Sequence, residues 1–143
     1  MVTRINGFQY PYSSYQISIS IIYICILLFF NFSILYNTIY INISYIILYI
    51  NIILFICIII VWIYIELIDP GKADPNITTK TRYCQTCRKR IAGLDHHCIW
   101  LNTCIGTVNI KLFLLLICLL FLQESIQICY IFILFFNEYE IIL

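Results

Sequence analysis

The chain reads as an all-α polytopic membrane protein, with about three transmembrane helices and a cysteine-rich loop between the second and third. Three observations predict this. Of its 143 residues, 63% are hydrophobic and only 10% charged, whereas soluble domains carry about a quarter charged. The apolar residues lie in long runs, as membrane spans do. Both histidines and four of the eight cysteines fall together in the one polar stretch between those runs.

Residues 1–16 form an N-terminal tail. Arg4, Pro11 and scattered polar groups give it neither the apolar core nor the cleavage site of a signal peptide, although the first span could serve as a signal anchor. Residues 17–36 are the first run, interrupted only by Ser18, Ser20, Asn31 and Ser33. A hydrocarbon core of about 30 Å needs roughly 20 such residues as a helix. Residues 37–44 make a short connection to the second run, 45–64, whose one polar break is Asn51. Residues 66–111 are the polar loop.

Residues 112–136 are the third run, broken by Gln123-Glu124-Ser125 and Gln127. They read as one span with a polar inner face, a re-entrant or interfacial segment being the alternative. Because a carboxylate in lipid is expensive, Glu124 is expected to face protein or water. Residues 137–143 are a C-terminal tail.

Orientation follows from the basic residues. Lys72, Lys80, Arg82, Arg88, Lys89, Arg90 and Lys111 lie in the loop and Arg4 in the tail. The positive-inside rule places both in the cytosol, and three full crossings put the C-terminus on the other side. A net charge of +1 argues against a nucleic-acid partner.

Asp69-Pro70-Gly71 is a strong turn directly after the second run, and Asp74-Pro75-Asn76 repeats it. Cys25, Cys57, Cys118 and Cys129 lie inside the apolar runs and read as small hydrophobes. The loop cysteines differ. Cys84-Gln85-Thr86-Cys87 can present two thiolates to one metal; alone, the pair could equally be a redox couple. His97 and Cys104 can complete a tetrahedral set of three sulfurs and one nitrogen, the donor chemistry of structural zinc. A cytosolic, reducing setting disfavours a disulfide framework. About one zinc per chain is expected, its binding energy serving to fold the loop.

Asp95-His96-His97-Cys98 is the unusual run. Its adjacent side chains cannot all reach one metal. If His97 turns to zinc, His96 and Cys98 turn together to the other side. Cys98 then has a neighbouring base for its proton, and a thiolate is the nucleophilic form. Asp95 can orient His96 and fix its tautomer. The competing reading, in which these groups are alternative zinc ligands, stays open on the residues alone. The site is tethered to spans on both sides, which suits a greasy substrate and thioester exchange at the membrane–cytosol boundary.

Tyr83-Cys84-Gln85-Thr86-Cys87, the run from Gly93-Leu94-Asp95 through His96-His97-Cys98-Ile99-Trp100-Leu101-Asn102-Thr103-Cys104-Ile105-Gly106, and Asn109 together resemble the DHHC-type protein S-acyltransferases (palmitoyltransferases). Asp69-Pro70-Gly71 looks like that family's DPG motif. The resemblance implies that Cys98 is the acyl-accepting nucleophile, His96 its base and Asp95 the residue orienting it. It implies zinc ligation by Cys84, Cys87, His97 and Cys104, the set reached above from donor chemistry.

There are departures. The family's second zinc would use an upstream Cys-x-x-Cys, a histidine where Tyr83 stands and a cysteine where Arg90 stands, and all are absent together. Ile99 replaces a common proline. The fourth span and the Thr-Thr-x-Glu motif are not found within the 143 residues, so the chain is expected to be a shortened member of the family.

The resemblance implies transfer of a fatty acyl group, palmitoyl by expectation, from acyl-CoA through an enzyme thioester to cysteines of membrane-associated proteins. Expected partners are acyl-CoA, those protein substrates and the lipid bilayer, with an accessory subunit or a homo-oligomer kept open. The expected location is the endoplasmic reticulum or Golgi membrane, with the active site facing the cytosol. The rival is a catalytically impaired relative acting as a zinc-stabilised membrane adaptor. It predicts a damaged nucleophile, whereas Asp95, His96 and Cys98 are intact. A redox or metal-handling role for Cys84 and Cys87 would leave the run from Trp100 to Asn109 without a purpose.

Overall fold

A computed structural model of the chain describes residues 3–37, 43–72 and 79–142. Three helices carry the apolar runs: α1 (Ser14–Asn37), α2 (Ile43–Leu67) and α3 (Ile110–Ile142). Each holds a stretch long and apolar enough to cross a membrane: Ser14–Tyr36, Tyr45–Leu67 and Ile110–Phe136. Isoleucine is β-branched and a mediocre helix former in water. Hydrocarbon removes the competing water, so each backbone N–H and C=O must be satisfied inside its own segment, and the helix wins. Most of the large apolar side chains on these helices are exposed in the isolated chain, as befits a surface that meets lipid.

The third run is one unbroken helix. Gln123 and Gln127 turn inward and are buried, while Glu124 lies on the exposed face. The inward pair meets Asn51 of α2. Gln123 Nε2 and Gln127 Nε2 both donate to Asn51 Oδ1, at 3.0 Å and 3.2 Å. Asn51 Nδ2 donates to Asn31 Oδ1 of α1 at 2.9 Å, and the Tyr23 hydroxyl donates to Gln123 Oε1 at 2.5 Å. Helices gain little from apolar contact when lipid is equally apolar, so such interhelical bonds help define the bundle. Phe30, Ile34 and Tyr130 close its far end.

The loop between α2 and α3 holds two short antiparallel hairpins, which the all-helical expectation did not include. β1 (Thr81–Cys84) pairs with β2 (Lys89–Ala92), and β3 (His96–Cys98) with β4 (Thr103–Ile105). Asp69-Pro70-Gly71 is the expected turn. Asp69 Oδ1 accepts the Gly71 N–H at 2.8 Å and pairs with Lys89 of β2, joining the first hairpin to the end of α2. The turn expected at Asp74-Pro75-Asn76 lies outside the described residues.

The hairpins lean on each other through Thr107, whose N–H and Oγ1 both donate to the Ala92 C=O, at 3.0 Å and 2.9 Å. Gly93 sits between them at φ 55°, a left-handed conformation that glycine adopts freely. A Cβ there would lie 2.3 Å from Thr107 Oγ1.

The N-terminal tail is not a free end. Residues 3–13 run across the loop as a strap. The Arg4 N–H donates to Cys87 C=O at 3.1 Å, the Gly7 N–H to Glu66 C=O at 2.8 Å, and Lys89 Nζ to Ile5 C=O at 2.9 Å.

Candidate metal and nucleophile site

The period of two along a strand organises the site. Alternate side chains leave opposite faces, so His97 on β3 points away from its neighbours His96 and Cys98. Across the ladder His97 stands opposite Cys104, and Cys98 opposite Thr103. The turn joining β1 to β2 supplies the other half. Cys84 ends β1 and Cys87 lies within the turn. The Cys87 N–H points at Cys84 Sγ at 3.4 Å, and the Arg88 N–H closes on Cys84 C=O at 2.8 Å. Arg88 takes a φ of 55° to make that turn, at a cost of roughly 1–2 kcal/mol for a residue with a Cβ.

This turn and the β3–β4 ladder bring Cys84, Cys87, His97 and Cys104 together, with their ligand atoms all within 4.8 Å of one another. Cys87 Sγ lies 3.3 Å from Cys104 Sγ and 3.4 Å from His97 Nδ1. Zinc–sulfur bonds of about 2.3 Å in a tetrahedron put sulfurs about 3.8 Å apart, so the cluster has the span for one ion. The three cysteines are buried. Crowding makes the thiols share protons. The Cys104 thiol, hydrogen-bonded to Cys87, holds Cys87 down at about 4, and the same bond raises Cys104. Three buried sulfurs and one imidazole fit zinc, which would take all three as thiolates. Behind the ligands, Asn109 Nδ2 donates to Cys104 C=O and its Oδ1 accepts the Gly106 N–H, both at 2.9 Å. The start of α3 is thereby tied to β4.

On the other face of β3, His96 Nδ1 lies 3.0 Å from Asp95 Oδ2, both groups partly open to solvent. The His96 ring meets Phe113 of α3 edge-on at 5.3 Å. Cys98, two residues on, shares the face of His96 but is buried. Burial pushes its thiol up from the ordinary value, against hydrogen bonds from the backbone amides of Leu101 and Trp100 that lower it.

Cys98 sits in an apolar cluster with Ile58 and Ile65 of α2, Leu116 of α3, and Leu101 and Ile105 of its own hairpin. It also lines a cavity of about 210 Å³ with Ile19, Tyr23, Trp62, Trp100, Phe113 and Leu116. The cavity thus takes walls from all three helices. Apart from Trp100, these wall residues were not singled out from the sequence, because each lies in a long apolar run. Glu66, buried at the end of α2, was also missed; Trp62 Nε1 donates to its Oε1 at 2.8 Å.

Residues 73–142 match the family model for the DHHC palmitoyltransferase. A probable protein S-acyltransferase 15 of Arabidopsis thaliana is 42% identical over 38 residues, covering 27% of this chain and 15% of the relative. A probable protein S-acyltransferase 14 of the same plant is 33% identical over 66 residues, 44% of this chain and 22% of the relative. Palmitoyltransferase ZDHHC3-A of Danio rerio is 34% identical over 62 residues, 41% and 20% respectively. The matches therefore span about a fifth or less of these relatives' length. No solved structure matches the chain.

Proposed function

We propose, for a chain that belongs to the DHHC palmitoyltransferase family, that it moves a fatty acyl group from acyl-CoA to Cys98 and then to cysteines of membrane-associated proteins. One observation carries this reading: the only cysteine in the Asp-His-His-Cys run opens onto an apolar cavity bounded by all three spans. Such a cavity suits a hydrocarbon tail whose thioester lies at the membrane boundary.

The steps balance as two thioester exchanges. His96, with Nδ1 engaged by Asp95, keeps its other nitrogen to take the Cys98 proton. The Cys98 thiolate attacks the acyl-CoA carbonyl; the new carbon–sulfur bond forms as the bond to CoA breaks, and the CoA thiolate leaves with a proton. His96, having passed that proton to the CoA thiolate, takes the proton of the substrate thiol; the resulting thiolate attacks the Cys98 thioester, and Cys98 leaves with that proton as its bond to the acyl group breaks. The bond type is unchanged throughout, so neither step is steeply uphill. Asp95 holds the imidazole tautomer. The backbone amides of Trp100 and Leu101 face the Cys98 sulfur and favour its thiolate.

Zinc, when bound by Cys84, Cys87, His97 and Cys104, supplies structural cross-linking of the two hairpins. One ion per chain is what the one four-donor cluster among the described residues supports. The basic residues of the loop and tail support a cytosolic site, and palmitoyl as the chain, with endoplasmic reticulum or Golgi as the membrane, remains part of the proposal.

The test is self-acylation. Full-length protein in detergent, given labelled palmitoyl-CoA, should take up label that neutral hydroxylamine releases and that Cys98→Ser abolishes. Undiminished labelling of Cys98→Ser would remove Cys98 as acceptor.

A further inference from the structure

Gly7 bridges two parts of the site that belong to different elements. Its N–H donates to the Glu66 carbonyl at the end of α2 at 2.8 Å. Its own carbonyl accepts Asn102 Nδ2 at 3.1 Å. Asn102 is buried, sits at φ 51°, and closes the turn that follows Cys98; Nδ2 also reaches the Pro11 carbonyl at 3.3 Å. The approach leaves no space for a side chain. A Cβ on Gly7 would stand 2.4 Å from the Leu101 carbonyl oxygen and 3.1 Å from Glu66 Cβ.

The strap on either side is fastened independently of this bridge. Arg4 donates to the Gln9 and Pro11 carbonyls at 2.8 Å and 2.7 Å, folding residues 4–11 into a closed loop. The Arg4 N–H on Cys87 C=O and Lys89 on Ile5 C=O hold that loop to the first hairpin. Gly7 is therefore presented to the second hairpin by a frame anchored elsewhere. What it presses against is the residue pair Leu101-Asn102, and the Leu101 amide is one of the two that face Cys98 Sγ.

We propose that Gly7 is a positioning residue for Cys98: by joining Glu66 to Asn102, it fixes the turn that holds the nucleophile at the mouth of the apolar cavity. This rests on Cys98 being the acyl acceptor. Gly7 touches no reacting atom and acts only through Asn102 and Leu101.

The experiment compares the full, zinc-loaded chain in detergent with Gly7→Ala, Asn102→Asp and the double variant. Asn102→Asp keeps the size and the tolerance of positive φ, but turns an oxygen instead of a donor toward two carbonyls. Zinc content, single-turnover acylation of Cys98 across a range of palmitoyl-CoA concentrations, and alkylation of Cys98 by iodoacetamide are read for each. The expected result is full zinc content and a maximal acylation rate lower by about tenfold or more, since small misplacements of reacting groups cost that much. The half-saturating donor concentration should move by less than roughly threefold, and alkylation should be faster as Sγ loses its cover. The double variant should be no slower than the slower single one, because both remove one bridge.

Acylation within about twofold of the parent chain in both zinc-loaded variants would overturn the proposal, as would a loss carried by the half-saturating concentration alone. If Gly7→Ala loses zinc, Asn102→Asp decides on the same criteria. If the parent chain takes no acyl group, the proposed function fails on its own. The alkylation comparison then still decides whether Gly7 holds Cys98, and equal rates overturn it.

Discussion

His97 and Cys104 stand directly opposite each other across the β3–β4 pair, with Nδ1 3.6 Å from Sγ. Two donors from one hairpin thus meet two from the other, and little else joins the hairpins at that point. Replacing Cys104 with Ala leaves three donors and an ill-closed site. Structural zinc in small folds is held by an apparent 10–16 kcal/mol, roughly, which is also the folding energy of the segment. Cys104→Ala and His97→Ala should each take the zinc content from about one per chain to near zero, with helix content by circular dichroism kept. A variant that retains its zinc would remove that residue from the ligand set.

Much of this site was legible because it is written in short-range patterns. Adjacent His97 and Cys98 must diverge whatever the backbone, and a three-residue strand is the simplest way to do it. Cys84 and Cys87 announce their turn by spacing alone. The apolar runs announced the spans, and Gln123 and Gln127 announced an inward face. The strands themselves escaped notice, since three or four residues carry no readable alternation. The strap escaped for a different reason. Gly7, Ile5 and Pro11 are recognised through backbone carbonyls and amides, which every residue has, so no side-chain pattern marks them.

The pairing of Asp95 with His96 predicts a graded loss of activity. Removing the base should cost more than removing the group that orients it. His96→Ala should slow acylation of Cys98 by about 10²–10⁴-fold, the usual worth of a positioned general base. Asp95→Asn should slow it less and leave the zinc content unchanged. Equal acylation rates in His96→Ala and the parent chain would exclude His96 as the base.

Burial raises the Cys98 thiol, and this fixes the sign of two pH effects. The thiolate is the reactive form, so the acylation rate should climb as pH rises past the ordinary thiol range. Stability should move the other way. A folded-state value above the unfolded one means that the folded chain keeps a proton the unfolded chain gives up. That contribution is fully present below the unfolded thiol value and is lost as pH rises through the folded one. Thermal unfolding in detergent across neutral to alkaline pH should show this decline, and Cys98→Ser should flatten it. A parent chain that gains stability over the same window would contradict the assignment.

Asn51 is the hub of the polar contacts among the helices, giving one hydrogen bond to Asn31 and accepting one each from Gln123 and Gln127. It is fully buried in α2. Asn51→Leu keeps the branching and the number of side-chain heavy atoms but leaves three polar side chains facing a hydrocarbon surface. Interhelical bonds of this kind average about 0.6 kcal/mol each in membrane proteins, so the hub should be worth about 2 kcal/mol. Gln127→Leu removes one such bond and should cost about 0.6 kcal/mol. Gln123 retains a bond from Tyr23 in either case, which limits the damage. Unfolding by sodium dodecyl sulfate in mixed micelles reads both variants on one scale. The ordering is the decisive outcome: if Asn51→Leu is no less stable than Gln127→Leu, the three bonds do not converge on Asn51 as a working clamp.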